Sequence, residues 1–324
     1  MKKIVDDLRL IYKCCCLYYL DDMSQQEICN HIGISRATVS RLLKAGRDTG
    51  IVNIQVKNPI SLSYGDLERK IEKEFGLKEV VVANGSPLDS KEEQVNRINT
   101  EALRYLSRLF KDSDYIGVSM GSTLNNVVKD TPSINGKSDC VFVPVVGGIS
   151  SNQQSDRSIH ANEIANSYVN KFGGKAIQFF APALFADISV MKGFMKEKPV
   201  QEVLNYYQKL STVVMGVGIP EIGGSTLVQH GYIEKEQLQK FIDDGVVGDL
   251  SLKFFDRNGD TDKFKEFNDR VSGLSVSQLK TISNRVGIAS GKRKAEALLG
   301  AVRGGMISIL ITDLECAEEL LKLI

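Results

Sequence analysis

The chain is expected to be an α/β protein, with a winged-type helix-turn-helix domain at residues 1–58 and a larger doubly wound domain at residues 59–324. Three observations predict this. A capped helix pair joined through glycine lies within the first fifty residues, and apolar bursts alternate with amphipathic helices from residue 79 onward. The length of 324 residues also exceeds one average domain. A composition of 42% apolar and 25% charged residues lets each part bury a core.

Ile4, Leu8, Ile11, Cys15 and Tyr18/Tyr19 recur at helical spacing, which predicts a first helix ending before Asp21-Asp22. Ser24 and Glu27 form the sequence signature of a capping box and start a second helix that runs to about Ile32. Gly33 supplies the turn, Ser35 caps a third helix, and the stretch from Gly46 to Gly50 closes it. With Ile28, Cys29, Ile32, Ile34, Val39 and Leu42 inward, Ser35, Arg36, Ala37, Ser40, Arg41 and Lys44 point outward. Arginines can read guanine edges from such a helix, while Lys44 and Arg47 neutralise phosphate. Residues 51–56 alternate with period two and predict a short strand or wing. A plain three-helix bundle with a solvated basic face is the alternative.

The net charge of +1 is unevenly divided. Residues 1–58 carry nine Lys/Arg against six Asp/Glu, whereas the rest carries 32 against 34. The positive charge is therefore local, as suits one small module meeting a phosphate backbone. The six cysteines show no C-x-x-C spacing, and none of the three histidines has ligand spacing near them. Reduced thiols in a cytoplasmic protein are expected, with no metal and no cofactor. No apolar run approaches the roughly 20 residues that span a bilayer.

After a polar linker near Asn58-Pro59, a helix with Leu67, Ile71 and Phe75 ends at Gly76. Strands are expected at 79–83, 115–119, 140–146, 176–180, 212–217, 285–289 and 306–312, with helices at 92–110, 161–171 and 294–302. Such alternation gives a parallel sheet covered on both faces, whose ligands bind beyond the carboxyl ends of the strands. The candidate ligand residues follow from that rule. Gly121, Ser122 and Thr123 start a helix directly after a strand, a natural phosphate cradle. Gly147-Gly148 opens a polar loop reaching His160 and Asn162. Lys292 begins a cationic helix start, and Asp249 stands among glycines where it can accept sugar hydroxyls. Each has a bland counterpart: a tight connection, a solvated helix start, an N-cap, an ordinary loop residue.

Gly117-Val118-Ser119-Met120-Gly121 also fits the nucleophile elbow of α/β hydrolases, with Asp187 and His230 in the required order. Nothing around either residue supports a triad.

The chain resembles the SorC family of bacterial transcriptional regulators, within the group often called SorC/DeoR. The resemblance covers nearly the whole length and rests on six segments: LDDMSQQEI at 20–28, ISRATVSRLL at 34–43, GVSMGST at 117–123, VVGGIS at 145–150, VGDLSLKFFD at 247–256 and SGKRKAEALLGAVRGG at 290–305. It implies a Rossmann-like effector domain similar to sugar-phosphate isomerases, acting as a sensor rather than an enzyme. It further implies operator DNA, a phosphorylated sugar and a homo-oligomer (dimer or tetramer) as partners, with no membrane. By motif, Gly121, Ser122 and Thr123 would hold phosphate with Lys292 assisting, Asp249 would accept hydroxyls, and His160 and Asn162 would close the pocket. Some relatives carry Lys or Arg just before the Gly-Gly pair, where this chain has Val145-Val146. Non-covalent binding of a ligand with one phosphate is therefore expected, with repression relieved by ligand. The rival is a phosphosugar isomerase or deaminase fused to a DNA-binding module, with Asp249 as its base. A protein–protein adaptor whose helix-turn-helix does not touch DNA is a further alternative.

Overall fold

A computed structural model describes residues 7–55, 64–85, 89–129, 131, 139–148, 157–223, 226–229 and 231–324. The chain divides into two units, Met1–Ile60 and Ser61–Ile324. The linker and domain boundary expected around residue 58 lie outside the described residues.

The first unit holds α1 (Leu8–Tyr19), α2 (Gln25–Ile32) and α3 (Arg36–Asp48). The capping box forms: Ser24 Oγ accepts from the Glu27 N–H and Glu27 accepts from the Ser24 N–H at 2.8 Å. Gly33 ends α2 at φ +79, a conformation that favours glycine. Ser35 Oγ then accepts the Thr38 N–H to start α3. Ile11, Cys14, Cys15, Ile28, Cys29, Val39, Leu42 and Leu43 form one buried core. The strand expected at 51–56 is corrected over 51–55, which bend without a ladder. The Val52 N–H donates to Gly46 O, folding the chain back on α3, and no partner strand exists among the described residues of this unit. Val56 lies outside the described residues.

The second unit runs α4 (Gly65–Phe75), β1 (Glu79–Val82), α5 (Lys91–Leu109), β2 (Tyr115–Val118), α6 (Ser122–Lys129), β3 (Val141–Pro144), α7 (Ala161–Phe172) and β4 (Lys175–Ala176). There follow α8 (Ile188–Phe194), α9 (Lys198–Leu204), β5 (Leu210–Gly216), α10 (Thr226–Gln229), α11 (Lys235–Asp243), β6 (Val246–Leu250) and β7 (Lys253–Asp256). The unit ends with α12 (Lys265–Asn268), α13 (Val276–Thr281), β8 (Asn284–Ile288), α14 (Ala295–Arg303), β9 (Ile309–Thr312) and α15 (Leu314–Lys322).

Seven parallel strands lie in the order β1-β9-β8-β5-β2-β3-β4. Alternation along the strands sends Val141 and Val143 to one buried layer and Phe142 to the other. Residues of α4, α14 and α15 fill the first layer, and those of α5, α6 and α7 the second. At the β1 edge, the N–H groups of Val80 and Val82 donate to Glu72 and Glu68 of α4 at 2.9 and 2.8 Å. Two carboxylates thus satisfy donors that an open edge would present to another chain. From β2 the chain steps outward to β3 and β4, then returns to β5 on the other side of β2 and steps to β8 and β9. The crevice between the carboxyl ends of β2 and β5 is the topological switch point, where open α/β sheets bind ligands.

Two elements differ from expectation. The strand expected at 176–180 reaches only Ala176. Beyond it the Asn162 side chain takes the place of a neighbouring strand, accepting the Phe179 N–H at 2.8 Å and donating to Phe179 O at 3.2 Å. The Asp249 segment, where glycines stand and no strand was expected, is the first strand of an antiparallel hairpin, β6–β7. Its turn residues Ser251 and Leu252 both have positive φ, +51 and +68.

Candidate functional site

On the first unit, α3 buries Val39, Leu42 and Leu43 and leaves Ser35, Arg36, Ala37, Ser40, Arg41 and Lys44 exposed together. Arg41 Nε donates back to Ala37 O at 3.2 Å, and Arg47 reaches the Tyr19 hydroxyl at 3.1 Å. No acidic residue sits in the first turn of α3. Its helix N-terminus, two guanidinium groups and an ammonium therefore present one cationic surface of the kind that meets phosphate.

On the second unit, a cavity of about 130 Å³ opens at the switch point. Met120, Gly121, Ser122 and Thr123 line it after β2, and Gly216, Val217, Gly218 and Ile219 at and beyond the end of β5. The β6–β7 hairpin contributes Asp249, Ser251 and Leu252, and the turn before α14 contributes Lys294. The first-turn N–H groups of α6, from Ser122 onward, have no partner within the helix and carry its positive dipole end. The Gly121 N–H itself donates to Ile159 O at 2.8 Å, which fixes the turn.

Gly218 and Leu252 hold Asp249. It exchanges backbone hydrogen bonds with Gly218, and its Oδ2 accepts the Leu252 N–H at 3.1 Å. A Cβ on Gly218 would stand 1.9 Å from Asp249 Oδ1, so only glycine lets the carboxylate lie there. Asp249 keeps part of its surface open, yet protein surrounds the carboxyl. Burial raises its pKa to about 6, against the opposing pull of Lys294 and the Leu252 N–H. Burial also lowers the Lys294 pKa, opposed first by Asp249. The Lys294 amine donates to Val217 O, and Arg293 pairs with Glu221, tying this turn to the segment after β5. Ser119 Oγ, at the end of β2, lies 2.7 Å from Ser251 Oγ and ties the hairpin to the sheet.

Of the expected ligand residues, Gly121, Ser122, Thr123 and Asp249 line this cavity, and Lys292, Gly147, Gly148, His160 and Asn162 do not. Lys292 is exposed, with its amine 3.5 Å from Glu319. Lys294, two residues on and therefore on the other side of the 3-10 turn Lys292–Lys294, lines the cavity instead. Gly147 is buried with its N–H on Ser272 Oγ, and a Cβ at Gly148 would stand 2.9 Å from Asn162 Nδ2. Asn162 clamps Phe179, and His160 Nδ1 lies 3.2 Å from the Tyr232 hydroxyl. Residues 149–156 of the polar loop lie outside the described residues. The hydrolase reading gains nothing: Ser119 is buried against Ser251, Asp187 caps α8, and His230 lies outside the described residues.

The family described as "Putative sugar-binding domain" matches residues 62–322. The family of bacterial regulatory proteins of the crp type matches residues 22–50. The Sorbitol operon regulator of Klebsiella pneumoniae is 32% identical over 98% of this chain and 99% of its own. The chain belongs to the SorC family. The Deoxyribonucleoside regulator of Bacillus subtilis is 27% identical over 94% of this chain and 95% of its own. The crystal structure of full-length SorC from Klebsiella pneumoniae matches with a TM-score of 0.70 and 30% identity, covering 98% of this chain and 99% of that one. A DeoR family regulator from Listeria monocytogenes gives 0.71 and 31% identity, covering 80% of this chain and 99% of that one. This SorC-family protein is thus a transcriptional regulator with a DNA-binding domain and a sugar-binding domain. Among the described residues no helix is long and apolar enough to cross a membrane.

Proposed function

We propose that this regulator senses a phosphorylated sugar held non-covalently at the β2–β5 switch point, and that the ligand relieves repression of a carbohydrate catabolic operon. The observation that carries the reading is convergence. The α6 amides, Lys294 and Asp249 reach one cavity, offering donors and positive charge to a phosphate and an acceptor to hydroxyls. The names of the sorbitol and deoxyribonucleoside regulators support a carbohydrate ligand. The α3 face, with Ser35, Arg36, Ala37, Ser40, Arg41 and Lys44, would read operator DNA, and a dimer or tetramer would place two such faces on half-sites. Operator DNA as partner makes the protein cytoplasmic. Linkage requires the ligand to bind the DNA-free and DNA-competent arrangements unequally.

The test is thermal unfolding against pentose and hexose phosphates, each beside its unphosphorylated sugar. A ligand at 100 times its Kd stabilises the native state by about 2.7 kcal/mol. The expected result is a shift with one phosphosugar, absent with the plain sugar and lost in Lys294→Met. No shift across the panel overturns the phosphosugar reading, and a borohydride-trapped adduct in mass spectrometry overturns non-covalent binding. The raised pKa of Asp249 beside a cation favours one second reading, proton transfer on a bound sugar. Turnover of phosphosugars, lost in Asp249→Asn, would establish it; we take the protein to be a sensor without catalysis.

A further inference from the structure

The last turn of α3 carries a cation that the first helix holds in place. Arg36, Ser40, Lys44 and Arg47 are spaced by four, four and three residues, which keeps them on one stripe of α3. Arg47 lies eleven residues beyond Arg36, about 16 Å along the axis at a rise of 1.5 Å per residue. The major groove is only about 12 Å wide. A helix whose first turn reads base edges therefore carries Arg47 out of the groove, to the level of the phosphates.

At that end α1 and α3 approach closely. A Cβ on Gly46 would stand 2.4 Å from Cys15 Sγ, so the glycine sets the distance between the two helices. Tyr19, one turn beyond Cys15, comes alongside Arg47, the residue after Gly46. The Arg47 guanidinium donates to the Tyr19 hydroxyl oxygen at 3.1 Å. Tyr18 braces the Tyr19 ring edge-on, with the ring centroids 4.9 Å apart. The direction of the Arg47 bond decides what the phenol can do. A guanidinium has no acceptor, so the phenol oxygen accepts, and among the described residues its own hydrogen has no taker. Arg47 is exposed and Tyr19 half-buried, so both donors open to solvent on one side.

We propose that Tyr19 and Arg47 form a two-part clamp for one phosphate of the DNA backbone, in which the guanidinium supplies charge and the phenol a second donor. A phosphodiester carries no base identity, so the clamp adds affinity and register rather than sequence preference. Tyr19 also orders a long side chain before DNA arrives, which lowers the entropy lost on binding. The clamp rests on the α3 face proposed above as the DNA surface.

Anisotropy of labelled DNA from upstream of the gene, titrated with the full chain over a range of salt, tests it. Tyr19→Phe keeps the ring against Tyr18 and loses only the oxygen. It should weaken binding about fivefold in the parent and less than about twofold in Arg47→Ala, because both groups hold the same phosphate. Arg47→Ala should reduce the slope of log affinity against log salt by about 1, while Tyr19→Phe alone leaves the slope unchanged because the charge remains. Equal losses from Tyr19→Phe in both backgrounds would mark a merely structural role, and no loss would remove the phenol from the DNA surface; either result overturns the clamp. If Arg41→Ala and Lys44→Ala weaken binding while Tyr19→Phe and Arg47→Ala do not, the clamp alone falls. If none of the four weakens binding, the α3 face falls with it.

Discussion

Replacing Asp249 by asparagine should stabilise the free protein while weakening its ligand site. The folded-state pKa of about 6 lies above the ordinary 3.8, and burial is the main cause. The protonated form is thus the better tolerated one. Between pH 3.8 and 6 the unfolded chain has lost this proton while the folded chain retains it, so stability falls as pH rises through this window. A shift near two units is worth up to about 3 kcal/mol at 1.36 kcal/mol per unit, and water entering from the open side of the cavity reduces it. Asparagine mimics the protonated acid and can still accept the Leu252 N–H. Urea unfolding of both proteins from pH 4 to 8 is the assay. The expected difference is near zero at pH 4 and grows to about 2–3 kcal/mol in favour of Asp249→Asn above pH 6. A variant equal to or less stable than the parent at pH 7.5 would show that burial does not disfavour the Asp249 carboxylate.

Lys253 presents the same physics with the opposite charge. Among the described residues its buried amine has no hydrogen-bond partner, and burial lowers its pKa from 10.5 to about 7. Stability should rise with pH between about 7 and 10.5 and carry the full penalty below 7. Lys253→Met should therefore unfold at higher urea at pH 7 by a few kcal/mol, with the gap closing toward pH 10; an unchanged or lower midpoint contradicts this. Ser24→Ala removes the capping-box acceptor and should cost about 1 kcal/mol in the denaturation free energy. A loss below about 0.3 kcal/mol would mean that α2 does not depend on that cap. Arg41→Ala and Lys44→Ala should each weaken binding to upstream DNA, and each lost phosphate contact should reduce the slope of log affinity against log salt by about 1. Unchanged affinity and slope in the double variant would place the DNA surface elsewhere.

The helix-turn-helix was legible because its signals are local: a serine three residues before a glutamate, a glycine where φ must be positive, and outward cations on one helix face. The parallel strands were legible as apolar bursts, since burial on both faces leaves little room for polar residues. The β6–β7 hairpin was not. Its turn puts Ser251 and Leu252 at positive φ without the glycine or asparagine that marks such turns. Beyond the short strand β4, the backbone of Phe179 bonds to the side chain of Asn162, 17 residues away in sequence, which no local pattern reveals. In the site, Gly121–Thr123 and Asp249 were found from strand ends and glycines. Choosing Lys294 over Lys292 needed the placement of this turn against the cavity, because a run of three cations carries no mark of which faces inward.

The proposed sensing mechanism requires the switch-point cavity to control the α3 face. Fluorescence anisotropy of labelled upstream DNA reads this coupling, with full-length parent and Lys294→Met each compared with and without a saturating phosphosugar. The sugar should weaken DNA binding of the parent by at least about fivefold, the low end of ordinary allosteric coupling. In Lys294→Met the DNA affinity should match the ligand-free parent and no longer respond. A phosphosugar that raises the melting temperature yet leaves DNA affinity unchanged would contradict it, because a ligand that binds both arrangements equally shifts nothing.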